Sequence, residues 1–309
     1  MNPTPPLPLL VVAVCTYRRN HPLRALLTAL EAQAASLTTV RLGVSVVDDS
    51  PEGMARPVLE PFADSFVGGL RYSNPASGNI STARNTAIET SLDMGADWVM
   101  FIDDDCLPSE RWIAEMLAMQ ARTGADLITG PVEDIAHPAA PNWLTEQPFL
   151  NQIAEYTDGE EPPYGTTANV LISAEWLAKN PEVRFRSDFG DLGGEDMVWF
   201  HATRAAGIVH RYALAAPVFE QVPLERSSFG YQLRKKLWFG NTMYVTNADH
   251  GESLNRLFLR GAKYVVNGLL RPVKRLRGGE TPQWRYAAAM VAIGVGLMAG
   301  RFGVRLDHH

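Results

Sequence analysis

A chain of 309 residues with 46% apolar and 20% charged residues has ordinary globular composition and can bury a large core, as one α/β domain with an appendage or as two domains. Its net charge of −6 hides an acidic body, which argues against nucleic-acid binding. Two cysteines, Cys15 and Cys106, make neither a disulfide framework nor a CxxC zinc site and fit a reducing compartment.

The start, Met1 to Pro8, is Pro-rich and lacks the basic region of a signal peptide. Leu7 to Cys15 is a continuous apolar run, the mark of a strand buried on both faces of a parallel sheet. His21 to Ala34 has helical spacing at Leu23, Leu26, Leu27 and Leu30, with Pro22 suited to the first turn. Leu42 to Val47 is a second strand ending in Asp48-Asp49, and Leu70 to Ser73 a short third. Ile80 to Leu92 reads as a helix, Trp98 to Ile102 as a strand ending in Asp103-Asp104-Asp105, and Trp112 to Met119 as a helix. This alternation predicts a Rossmann-like α/β fold with a mostly parallel central sheet and flanking helices. Ligands of such sheets bind beyond the carboxyl ends of the strands, where Thr16-Tyr17-Arg18 and both acidic clusters fall.

Leu127 to Val132 and Asn169 to Ser173 read as further strands. Between them Ala136 to Thr167, rich in Pro, Gly and aromatic residues, is long enough to be a functional loop. Phe185 to Asp196 is a Gly-rich acidic loop entering a helix at Met197. The expected boundary lies near residue 250, with a body of 1–250 and a helical tail of 251–309. The tail holds ten basic residues (Arg256, Arg260, Lys263, Arg271, Lys274, Arg275, Arg277, Arg285, Arg301, Arg305) against Glu252, Glu280 and Asp307, hence +7 against −13 for the body. Its helical candidates are Leu254 to Leu270 and the uncharged Tyr286 to Gly300. No apolar run reaches the roughly 20 residues of a membrane span.

Three adjacent carboxylates at 103–105 repel one another, and oxygen-only ligands suit Mg²⁺ or Mn²⁺ shared with substrate phosphates. A solvated acidic turn is the bland alternative. Asp48 can accept hydrogen bonds from a base or ribose, or simply cap its loop. Gly78 to Asn85 opens a helix whose start favours anions, and Asn79 or Ser81 can cap it. Glu195-Asp196 after two glycines offers a general base or a pair of helix-dipole acids. Arg226 and Arg234-Lys235-Lys236 could meet a diphosphate or form a solvated helix face. His137, His201 and His210 lack ligand spacing and read as surface or loop residues.

In this order, Val14-Cys15-Thr16-Tyr17-Arg18-Arg19, Val47-Asp48-Asp49, Asn79 to Asn85, Phe101 to Asp105, Gly130-Pro131-Val132, Thr167 to Leu171 and Gly193-Gly194-Glu195-Asp196 resemble the inverting family 2 glycosyltransferases of the GT-A fold. Within that family the chain is similar to the succinoglycan β-1,4-glucosyltransferase group of bacterial exopolysaccharide synthesis, supported by Val222 to Ser228 and Arg234 to Gly240. The resemblance implies a UDP-sugar donor, with glucose the leading sugar, and a glycan or polyprenyl-diphosphate-linked acceptor. It implies a nucleotide-sugar site of Thr16, Arg18, Asp48, Asn79, Arg84, Asp103, Asp104 and Arg226. It also implies Mn²⁺ or Mg²⁺ on Asp105 and Asp103, and Asp196 as base with Glu195 beside it. Relatives often carry His before the Val-Pro segment. Phe219 stands there in this chain, so Glu220 is the expected substitute ligand. The tail is then expected at the cytoplasmic face of the inner membrane, its helices in the interface and Arg271 to Arg277 on anionic headgroups, or packed on the enzyme or a second copy. A non-catalytic nucleotide-sugar-binding protein and a nucleotidyltransferase are the alternatives. The latter should show a Gly-rich loop after the first strand, which Thr16 to Arg19 is not.

Overall fold

The computed structural model describes residues 6–150 and 156–306. Most of the Pro-rich start, the middle of the long aromatic loop and Asp307 lie outside them. The elements run β1 (Leu9–Thr16), α1 (Asn20–Ala34), β2 (Arg41–Asp48), α2 (Arg56–Leu59), β3 (Leu70–Ser73), α3 (Ile80–Asp93), β4 (Trp98–Ile102), β5 (Cys106–Pro108), α4 (Trp112–Thr123), β6 (Leu127–Thr129) and β7 (Val132–Ala136). There follow α5 (Trp143–Glu146), β8 (Asn169–Ser173), α6 (Ala174–Lys179), α7 (Glu195–Ala205), β9 (His210–Tyr212), β10 (Val218–Val222), α8 (Phe229–Asp249), α9 (Leu254–Arg277) and α10 (Trp284–Gly300).

They group into two compact units: Met1–Glu133, Gln152–Gly190 and Trp199–Glu220 in the first, and Asp134–Asn151, Asp191–Val198 and Gln221–His309 in the second. The first unit contains a seven-stranded sheet of order β3-β2-β1-β4-β8-β6-β9. All its pairings are parallel except the two made by β8. A smaller sheet has order β5-β10-β7. The expected strand Leu127 to Val132 is thus two: Gly130-Pro131 interrupts it, and the chain changes sheets there.

Apolar alternation explains why helices cover both faces of the large sheet. Leu10, Val12 and Val14 of β1, with Met100 and Ile102 of β4, pack with α1 and α4. Ala13, Val99 and Phe101 point the other way, toward α3 and Trp199 and Phe200 of α7. Side chains one residue apart on a strand lie on opposite faces, so an all-apolar strand needs both covered. Each fully buried Leu contributes about 1.5–3 kcal/mol, which makes the quartet Leu23, Leu26, Leu27 and Leu30 the anchor of α1.

In the second unit α10 packs against α8 and α9 through small residues. A Cβ on Gly240 would sit 2.1 Å from the Ile293 carbonyl oxygen, and one on Gly296 2.0 Å from that of Leu237. The uncharged helix expected in a membrane interface is therefore buried among its neighbours. Its Ala and Gly residues permit backbone approach that larger residues forbid. Helix α8, which the sequence places in the body, groups with the tail for the same reason. No helix of the described residues is long and apolar enough to cross a membrane.

Candidate active site

The parallel register brings three strand ends together. Thr16 pairs with Asp48 across β1 and β2, and Ala13 with Phe101 across β1 and β4, so 103–105 follow directly beside Thr16. The chain then reverses. Arg18 adopts φ 57°, a left-handed conformation uncommon for a residue with a Cβ. Its side chain points outward and pairs with Glu52 at 2.5 Å. The next side chain, Arg19, reaches Asp104 at 3.0 Å and Asp105 at 2.6 Å.

Each aspartate of the triplet has its own environment. Asp104 is 4% exposed and accepts a hydrogen bond from Thr16 Oγ1 at 2.6 Å. Burial pushes its carboxyl up to about 6, against the opposing pull of the Arg19 charge and the Thr16 hydrogen bond. Asp105 is largely covered, whereas the Asp103 side chain is 44% exposed. Arg84, on the second turn of α3, lies 3.5 Å from Asp103 and 5.7 Å from the centre of the Phe185 ring. Two guanidinium groups therefore offset part of the mutual repulsion of three carboxylates. Arg19 is the residue that sequence reasoning missed: it is quoted in the first motif but given no role, because only the turn at Arg18 aims it inward.

The remaining members of the expected nucleotide site hold the surrounding loops. Asp48 is fully buried. One of its oxygens accepts from Ser50 N and Oγ at 3.0 and 2.6 Å, the other from Ala55 N at 2.7 Å and Tyr72 OH at 3.2 Å. A base contact by Asp48 would have to displace one of these. Asp49 accepts from Ser77 N and Oγ at 2.6 and 2.9 Å. Asn79 caps α3 through Thr82 N and donates to Ser187 O at 3.0 Å, so its amide is structural here. Asn85 makes two bonds to the Phe185 backbone, at 2.8 and 2.9 Å. Together Asn79 and Asn85 fix the loop that carries Phe185.

Asn169, at the start of β8, is fully buried and joins three elements. Its Oδ1 accepts from Trp112 Nε1, and its amide donates to the carbonyls of Pro131 and Ala216, each at 2.8 Å. This is why Gly130-Pro131-Val132 and Thr167 to Asn169 occur as a set.

Glu220 of β10 stands opposite Cys106, one residue from Asp105. Among the described residues no group of three His, Cys, Asp or Glu converges on one point. The shell of Asp103, Asp105 and Glu220 is therefore not a preassembled cage. The donor set nevertheless suits Mg²⁺ or Mn²⁺ in kind, being all oxygen and partly exposed. Both thiols are held protonated, Cys15 pushed up to about 12 by burial and Cys106 raised by the same cause, so neither is a ready nucleophile. His210 corrects the surface reading. It is buried in β9, bonds Thr129 Oγ1 at 2.8 Å, and burial lowers its pKa to about 4.

In the second unit Gly193 and Gly194 take φ of 78° and 85°. A Cβ on Gly193 would strike Trp238, and one on Gly194 would meet the methyls of Thr242 and Thr246. Trp238 Nε1 also donates to Leu192 O at 3.1 Å. This tight turn starts α7 at Glu195, two residues earlier than the sequence suggests, with Asp196 on the first turn accepting from Met197 N. Arg226 lies in a short helical turn whose backbone carbonyl is held by Gln232, and Lys236 on α8 is half-buried, which lowers its pKa from the ordinary lysine value.

The family model for glycosyl transferase family 2 matches residues 11–180. The succinoglycan biosynthesis protein ExoM of Rhizobium meliloti is 31% identical over 258 residues, covering 82% of this chain and 80% of its own. The glycosyltransferase AglE of Haloferax volcanii is 28% identical over 131 residues, 42% of this chain and 41% of its own. Among solved structures, S. aureus TarS 1-349 in complex with UDP superposes with a TM-score of 0.56 at 15% identity, covering 96% of this chain and 92% of that one. The UDP-GlcNAc complex of the same protein gives 0.56 at 13% over the same shares. The chain belongs to glycosyl transferase family 2, on a GT-A-like scaffold.

Proposed function

We propose that the chain transfers a sugar from a UDP-sugar, glucose first among the candidates, to a glycan on a polyprenyl-diphosphate lipid in bacterial surface-polysaccharide synthesis. The observation that carries this reading is the Asp103-Asp104-Asp105 cluster at the sheet's carboxyl edge, flanked by Arg19 and Arg84. The similarity to a succinoglycan biosynthesis protein over most of both chains supports the pathway class, and the UDP complexes of the fold neighbour support the donor class. The lipid-linked acceptor and the inverting course rest on the family resemblance alone.

Transfer with inversion is one displacement: the acceptor oxygen bonds the anomeric carbon as the bond from that carbon to the UDP oxygen breaks. Negative charge grows on the departing diphosphate, and Arg84 and Arg19 are suited to oppose it. A divalent ion on Asp103 and Asp105 supplies further positive charge there when bound. The acceptor proton goes to a carboxylate, assigned to Asp196, with Glu195 beside it on the first turn of α7.

The test is UDP release from a panel of UDP-sugars, with and without Mn²⁺, using membrane extract as the acceptor source. Metal-stimulated release from one donor, abolished by Asp105→Ala, is expected. Asp196→Asn should cut turnover by about a hundredfold or more while leaving UDP binding intact. Near-normal turnover of that variant would remove Asp196 as the base. UDP binding without turnover under every condition would favour the non-catalytic alternative.

A further inference from the structure

The basic tail is organised in a way composition does not reveal. Helix α9 has three sides. Leu257, Gly261, Gly268 and Pro272 are buried toward the rest of the bundle. Leu259, Val266, Leu269, Leu270, Val273 and Leu276 recur at helical spacing on a second side, each between 45% and 67% exposed. At 100° per residue, Arg256, Lys263 and Lys274 fall on the third side, beside that apolar stripe, with Arg260 and Arg271 at its far edge. An open apolar groove of about 610 Å³ lies next to the stripe. It is lined by Leu237, Leu269, Pro272, Trp284, Val291 and Val295, with Arg234 as its charged member. Leu269 belongs to both stripe and groove, so the two form one apolar surface.

The geometry points to this face of α9 as an in-plane docking surface for an anionic lipid bilayer. A long helix with an exposed apolar stripe and an adjacent basic side is the pattern that lies at the headgroup boundary. The occupant is selected by charge. A second copy covering the stripe would bring the +7 tail against itself, whereas anionic headgroups attract each basic residue beside the apolar contact. The small residues of the uncharged α10 pack on α8 and α9, and its exposed Trp284 and Val295 contribute to the groove. The groove gives the surface depth enough to accept part of a lipid chain. The inference is compatible with the lipid-linked acceptor proposed above and deepens that reading, but it concerns the membrane surface itself.

The experiment is co-sedimentation of the full chain with vesicles of phosphatidylcholine alone or mixed with phosphatidylglycerol. Binding to the mixed vesicles, weakened by salt, is expected. The exposed double variant Val266→Asp/Val273→Asp and the charge variant Lys263→Glu/Lys274→Glu should each bind at least about tenfold less, with unchanged circular dichroism. Equal binding of the variants and the parent overturns the inference. So does a dimer, seen by light scattering, that the double variant dissolves while vesicle binding stays the same. Donor turnover measured in parallel separates the two readings. Vesicle binding without UDP release from any donor, with membrane extract supplied as acceptor, upholds the surface and overturns the transfer reaction; turnover without vesicle binding does the reverse.

Discussion

Replacing Asn169 by Asp tests how the family motifs hold the fold, because it changes one atom in a fully buried side chain. The oxygen facing Trp112 Nε1 keeps its hydrogen bond. The other position becomes an oxygen 2.8 Å from the carbonyl oxygens of Pro131 and Ala216, where the amide had donated to both. Two buried acceptors lose their donor, at about 1–3 kcal/mol each, so the loss is roughly 2–6 kcal/mol. For a unit of this size that lowers the melting temperature by about 10 °C. Burial also disfavours the charged carboxylate and raises its pKa above the unfolded value of about 3.9. A raised folded pKa means the native state binds more protons, so the variant loses stability as pH rises through that interval. A protonated Asp can donate to one carbonyl, so the deficit at pH 5 should be smaller than at pH 8. Thermal unfolding by circular dichroism at both pH values measures this, with UDP affinity of the folded variant near the parent's. A deficit below about 1 kcal/mol at pH 8, or a loss of UDP binding without loss of stability, would refute the clamp.

The other predictions are simpler. Arg84→Met removes the Arg84–Asp103 ion pair and should weaken UDP binding by about tenfold or more in titration calorimetry, with a lower melting temperature as well because a buried charge that offsets carboxylate repulsion is lost. Gly296→Ala forces a methyl against the Leu237 carbonyl and should destabilise the three-helix unit by about 1–3 kcal/mol, read as faster hydrogen exchange in α8 and α10. His210 has its pKa lowered to about 4 by burial, so the unfolded chain binds the extra proton first. Stability is intact above the unfolded pKa of about 6.5 and falls as pH drops toward 4, by up to about 3 kcal/mol. His210→Gln should flatten that acid limb; an unchanged limb would exclude His210 as its source.

Apart from the short α2 and β5, the sequence by itself determined the order of strands and helices through Trp112, because apolar runs and helical spacing report local burial directly. It also placed the three acidic or hydroxyl-bearing strand ends on one edge, since parallel strands must end on the same side. Tertiary structure decided what those residues do with their side chains. Thr16 bonds Asp104, Arg19 bridges Asp104 and Asp105 after the turn at Arg18, and Asp48 serves its own loop. The bonds of Thr16 and Arg19 join residues 85 to 88 positions apart, a separation no local pattern encodes. The short strands β5 and β10 escaped for a related reason: each is stabilised by its partner, not by its own composition. The tail shows the difference most plainly. The uncharged segment 286–300 and the charged segment 254–277 look like the buried and the solvated helix of many possible arrangements. Only the packing of α10 through Gly240, Gly294 and Gly296 leaves the apolar stripe of α9 outward, because close backbone contact consumes one face of each helix and the remaining face is whatever the bundle does not cover.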